Sequence, residues 1–157
     1  MRGALAIILG LAGSAGAALP AQQALAQSPA SLCAGKGTVD RTTPIPASLV
    51  QAASGLFSIQ DQDFVKKSTV YRCVNDQVWL CNYGANLVCD KADTSRNNKG
   101  AAQWCRDNPG SSDIPMAATG HGTIYSCACV GRKARITGTP QKVDARGYIA
   151  DNWKLLR

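Results

Sequence analysis

The chain has 157 residues, seven cysteines, one histidine and a net charge of +7. All ten acidic residues are Asp, which excludes Glu-based general acid–base chemistry and the Glu half of a helix capping box. The length suits one domain with its own core, and no run beyond the N-terminal region is apolar and long enough to cross a bilayer.

The first 26 residues have the three-part layout of a secretory signal. Arg2 supplies the positive end, an uncharged apolar stretch runs from Ala4 to Leu19, and Ala24-Leu25-Ala26 forms a small-x-small cleavage site before Gln27. The apolar stretch falls short of the ~20 residues of a membrane span, and Pro20 weakens it further as a helix. The predicted location is therefore periplasmic or secreted. All seven cysteines, Cys33, Cys73, Cys81, Cys89, Cys105, Cys127 and Cys129, follow the cleavage site. In an oxidising compartment such thiols form disulfides, and an odd number leaves one thiol over.

Along the mature chain, residues 27–45 read as an irregular leader without apolar periodicity, carrying Cys33. Pro46 fits a first helical position, so a short helix is predicted through Ala53 with Gly55 as its stop. Val70–Val74 and Gln77–Cys81 are β-rich runs joined by Asn75-Asp76, two residues that tolerate positive φ, which predicts a hairpin. Strand alternation sends Cys73 and Cys81 to opposite faces. A bond between that pair is not expected, whereas Cys81 and Cys89 bracket a short loop that a bond could close. Gly100–Asp107 reads as a helix stopped at Asn108-Pro109-Gly110. Thr123–Val130 reads as a strand that Gly131-Arg132-Lys133 turns back into Ala134–Thr137. Ile149, Trp153 and Leu156 at helical spacing predict an amphipathic helix over 144–156. The predicted class is α+β: a small antiparallel sheet of about four strands with two or three short helices, disulfide-stabilised, in a single domain over 46–157.

Several constellations bear on chemistry. Cys105, Cys127, Cys129 and His121 could in principle surround a zinc ion. The one-residue gap between Cys127 and Cys129 and the oxidising setting argue instead for a bridge from one of them to Cys105, with the other bonded to Cys73 or free. No metal and no cofactor are expected. His121, flanked by Gly120 and Gly122, is the catalytic candidate, beside a free thiol or oriented by Asp107 or Asp113. Phosphate loops, nucleophile elbows and zinc-protease helices are missing. Trp79, Tyr83 and Trp104 with the 82–86 loop could form a polar-aromatic binding surface, although core placement of the Trp residues is the stronger expectation. From Arg132 to Arg157 there are seven basic residues against two Asp. Such a segment can dock on an anionic surface; nucleic acid is not expected as a partner.

Between Tyr71 and Cys129 the chain carries Tyr-Arg-Cys, Leu-Cys-Asn-Tyr-Gly-Ala-Asn-Leu-Val-Cys, Gly-Ala-Ala-Gln-Trp-Cys-Arg-Asp-Asn-Pro and Ile-Pro-Met-Ala-Ala-Thr-Gly-His-Gly-Thr-Ile-Tyr. These runs resemble a group of small exported bacterial proteins to which no activity is attached. The resemblance implies a bacterial envelope setting and disulfide candidates at Cys73, Cys81, Cys89, Cys105 and Cys129. Cys127 departs from the shared pattern, which makes it the candidate free thiol. The Tyr-x-Cys opening of the hairpin alone is similar to periplasmic inhibitors of C-type lysozyme. The leading expectation is a non-enzymatic binding or inhibitor-like module acting on an envelope component or protein. The alternatives are a small envelope hydrolase using His121 with a free Cys or an Asp, and a structural or stress-related periplasmic protein.

Overall fold

The computed structural model describes residues 28–84 and 86–157, so the signal-like segment lies outside the described residues. Helix α1 (Pro29–Cys33) starts with Pro at its first position, and the Ser28 hydroxyl accepts from the Ser31 N–H, a standard N-cap. Strand β1 (Thr43–Pro44) follows, then a 3₁₀ turn (Ala47–Leu49) that runs into α2 (Val50–Phe57). The predicted stop at Gly55 comes too early, because the helix ends at Ser58, which itself takes the left-handed conformation. Helix α3 (Gln62–Ser68), capped by Asp61, leads directly into β2 (Thr69–Val74) and β3 (Gln77–Asn82). After these come α4 (Lys99–Asp107), α5 (Met116–Thr119), β4 (Ser126–Val130), β5 (Lys133–Thr137) and β6 (Lys154–Leu155).

The α+β class holds, but the two predicted strand pairs belong to different sheets. One antiparallel sheet has the order β1-β2-β3-β6, and β4 and β5 form a separate ribbon. The β2–β3 turn places both Asn75 (φ 50°) and Asp76 (φ 62°) in the left-handed region. That matches the twist of the flanking strands and sets Cys73 opposite Val78. Alternation then divides the sheet into two faces. Tyr71, Cys73, Val78 and Leu80 pack against Leu32, Leu49, Val50, Ala53 and Val65 from α1 to α3. Val70, Trp79 and Cys81 face Tyr148, Trp153 and Cys89 on the other side. A third cluster joins Ala101 and Cys105 of α4 to Ile114, Cys127 and Cys129.

Three disulfides tie these parts together. Cys33–Cys73 fastens α1 to β2, Cys81–Cys89 closes the loop after β3, and Cys105–Cys129 fastens α4 to β4. Two expectations need correcting. Residues 28–45 are not an irregular leader: Cys33 is fully buried in the core, and Val39 N–H donates to the Cys73 carbonyl at 2.9 Å. Their order comes from a disulfide and long-range hydrogen bonds, which leave no periodic trace in the sequence. The 144–156 segment is not an amphipathic helix, since only a 3₁₀ turn (Ala150–Asn152) and β6 form there. Gly147 sits at φ 89°, and the Asp144 carboxylate accepts from the N–H groups of Arg146 and Tyr148. These local bonds compete with helix formation. Ile149, Trp153 and Leu156 still face the core, but from an irregular chain.

The sheet's second face is organised by a charge. Arg72 is 4 % exposed and pairs with Asp144, its guanidinium lying 4.2 Å from the Tyr148 ring centroid and 4.3 Å from that of Trp153. Its Nε and Nη1 have no hydrogen-bond partner, so the two ring faces partly replace lost solvation, at up to about 2 kcal/mol for a desolvated contact. Burial pushes the Asp144 carboxyl upward, but hydrogen bonds from Tyr148 N–H, Arg72 and Arg146 N–H, with the Arg72 charge, hold it below its ordinary value.

Two outcomes follow for stability. Asp144→Asn leaves a buried cation without its counter-charge and should cost about 3 kcal/mol in urea unfolding, the lower end for a broken pair because Asp144 is 27 % exposed. Because the folded-state pKa is depressed, this contribution is present above the ordinary Asp value and is lost as pH falls from about 4 through the folded pKa. The Asp144→Asn protein should lack that part of the acid dependence. Cys33→Ala with Cys73→Ala opens a 40-residue link and should cost about 4 kcal/mol, measured by the same unfolding experiment.

Candidate functional site: a cationic cleft beside helix α4

His121 lies in the turn between Gly120 and Gly122, half-buried. Among the described residues its ring hydrogen-bonds no carboxylate and no thiol. Asp107 instead accepts from Gln103 Nε2 at 2.8 Å, and the Asp113 carbonyl accepts from the Ser111 hydroxyl. Cys127 is the free thiol and is buried beside the Cys105–Cys129 bond. Burial pushes its pKa up, which keeps it in the poorly nucleophilic thiol form. Cys105 and Cys129 are spent in a disulfide, which removes two of the four groups considered for zinc. Of the three aromatic residues, Trp79 and Tyr83 pack in the cluster with Cys81 and Cys89, whereas Trp104 lies apart in the cluster under α4.

The basic C-terminal residues also disperse. Lys154 Nζ lies 5.2 Å from the Phe57 ring centroid, and Arg157 borders an apolar groove of about 840 Å³ beside α1 and β6. The polar lining residues of that groove, Ser28, Asp76, Gln77 and Arg157, carry charges of both signs. Arg132 and Lys133, at the β4–β5 turn, join other cations. Together with Arg96, Lys99 and Arg106 they line a cleft of about 400 Å³ whose walls also include Ala102 and Ala134.

Local sequence explains each wall. Asn98 caps α4: its Oδ1 accepts from Ala101 N–H at 2.8 Å, while its Nδ2 donates to the Thr119 carbonyl at 2.6 Å. One side chain thereby starts the helix and anchors it to α5. Gly100 permits the close approach, because a Cβ there would overlap the Ala118 carbonyl. On the other wall, Gly131 turns β4 into β5 at φ 56° and accepts from Gly110 N–H at 2.9 Å. Ala102 and Ala134 are small residues on the facing elements, which leaves the space open. Two of the cations are held in place. Arg96 lies 5.5 Å from the Tyr125 ring centroid, and Arg106 donates to Gln103 Oε1.

The electrostatics are one-sided. The ion pairs among the described residues are Arg72–Asp144 and Lys91–Asp40, so no carboxylate pairs with any of the five cleft cations. Convergent guanidinium and ammonium groups in a concave site concentrate positive potential and attract anions. Reading the C-terminal segment as a unit misses this site, since three of its five cations lie between residues 96 and 106. The density of Arg96, Lys99 and Arg106 over eleven positions is the signal that could have found them. Comparison of the chain with protein-family models, with curated proteins and with solved structures finds no match in any of the three.

The buried thiol gives a direct check. Native protein should react slowly with a thiol reagent, and protein unfolded in urea without reductant should release one thiol per chain. Three or more thiols per chain under those conditions would contradict the three bonds.

Proposed function

We propose that this protein is a non-enzymatic binding module of the bacterial envelope, periplasmic or secreted, that holds an anionic partner in the cationic cleft. The observation that carries this reading is that Arg96, Lys99, Arg106, Arg132 and Lys133, all exposed, line one concavity, and among the described residues none of them forms an ion pair with a carboxylate. Like charges held close repel one another, and an anion bound among them relieves that repulsion. The exported setting is supported by three disulfides, which reducing cytosol would not maintain. A stapled frame also suits binding: the walls of the cleft are fixed by Cys105–Cys129 and by the Asn98 cap, so little ordering entropy is lost when a ligand enters. An inhibitor-like role would use the same cleft against an acidic patch on a partner protein.

The test is binding to a soluble polyanion, dextran sulfate, followed by calorimetry. Wild-type protein should bind at low salt, with affinity falling by about tenfold or more between roughly 50 and 300 mM salt as screening sets in. Arg96→Asp with Arg132→Asp should lose most of that affinity at an unchanged melting temperature. Lys142→Asp with Lys154→Asp, outside the cleft, should retain it. If wild-type protein does not bind at low salt, or if both pairs lose affinity equally, the cleft is not the binding site.

A further inference from the structure

We infer that the group seated in the cleft is a phosphoryl oxyanion and not a carboxylate, an inference that rests on the reading of the cleft as an anion site. The kind of cation present favours phosphate. Three of the five, Arg96, Arg106 and Arg132, are arginines, and each presents a planar fork of donors that does not lose its proton in a protein. A carboxylate offers two oxygens and one negative charge, so one fork largely saturates it. A phosphate monoester offers three strong acceptor oxygens and about −1.5 to −2 charge at neutral pH. It can engage forks from more than one direction, as the two walls of this cleft require.

The arrangement of the arginines supports the same conclusion. Arg96 precedes α4, Arg106 is on the helix, and Arg132 comes from the β4–β5 turn on the opposite wall. The stacking of Arg96 on Tyr125 and the bond from Arg106 to Gln103 restrict two of the three before any ligand arrives. Lys99 and Lys133 add point charges at the same rim. Five cationic residues around one concavity of about 400 Å³ favour a ligand with more than one negative charge. A concavity of about 400 Å³ has room for a phosphoryl group. Phosphorylated envelope polymers and phospholipid headgroups both carry this chemistry.

The experiment titrates the full mature protein with pyrophosphate and, separately, with citrate, two small anions of closely matched total charge. Trp104, on the same helix as Lys99 and Arg106, supplies a fluorescence signal, and calorimetry confirms the affinities. Pyrophosphate should bind at least about tenfold more tightly than citrate. Arg96→Lys with Arg132→Lys keeps the charge but removes two forks, and should erase most of that preference while leaving dextran sulfate binding in place. Ala102→Phe, which fills the cleft and leaves every charge, should abolish binding of both small anions.

Equal affinity for the two, or tighter citrate, overturns the phosphoryl inference and leaves the anion cleft standing. Binding of neither small anion, together with no dextran sulfate binding, overturns both. Binding of neither small anion while dextran sulfate still binds overturns the phosphoryl inference alone. Undiminished pyrophosphate binding by Ala102→Phe places the site elsewhere and also overturns the inference. A final arm separates the sources once pyrophosphate binds. Sedimentation with phosphatidylglycerol vesicles that pyrophosphate competes away supports a lipid headgroup, and absence of sedimentation supports a soluble or polymer-borne phosphate.

Discussion

Arg72 sits in the middle of the central hairpin, where the sheet and the 144–153 segment close around its guanidinium. It pairs with Asp144, stacks on Tyr148 and Trp153, and stands opposite Trp79 across the β2–β3 ladder. Tyr148 in turn donates its hydroxyl proton to the Asp40 carbonyl, and Asp40 pairs with Lys91. The sheet and the C-terminal segment therefore meet at one buried cation, and the N-terminal segment and the loop after β3 join them through Tyr148. A buried charge is stabilising only when its counter-charge and its other contacts stay in place. The irregular run 144–153 is ordered for that reason and does not need to be helical.

The disulfides complement this constraint. Cys33–Cys73 acts on the sheet face opposite Arg72, so both faces carry a long-range tie. Cys105–Cys129 holds the second, smaller lobe, where α4 packs on the β4–β5 ribbon. The odd cysteine, Cys127, lies buried next to that bond. Its position on the same strand face as Cys129 follows from strand alternation, and its burial gives it the character of a small apolar side chain.

The cleft depends on that smaller lobe and on small residues. Gly100 brings α4 against α5, Ala102 and Ala134 keep the floor low, and the Gly131 turn raises Arg132 and Lys133 on the far wall. Chemistry and frame are thus separable: the cations line the opening, and the residues that position them are small, capped or turned.

The β2–β3 hairpin, its register and the opposite facing of Cys73 and Cys81 are legible in the sequence, because alternation and the Asn75-Asp76 turn are local signals. Helix α4 is legible from its stop at Asn108-Pro109-Gly110, though its cap at Asn98 lies two residues ahead of the predicted start. Helices α3 and α5 escape a reading by pattern, being short and without a strong apolar period. The helical spacing of Ile149, Trp153 and Leu156 points to a helix that does not form, because periodicity reports only which residues are apolar, not the path between them. Composition and local pattern thus determined an α+β chain with an N-terminal export signature and one cysteine more than bonds can use. Tertiary structure alone decided that Cys33 belongs to the core, that the strands split into two sheets, and that Arg132 and Lys133 share a cleft with Arg96, Lys99 and Arg106. The reason is distance along the chain: a partly buried ion pair 72 residues apart and a cleft assembled from two separated segments depend on closure of the whole fold, which no local window contains.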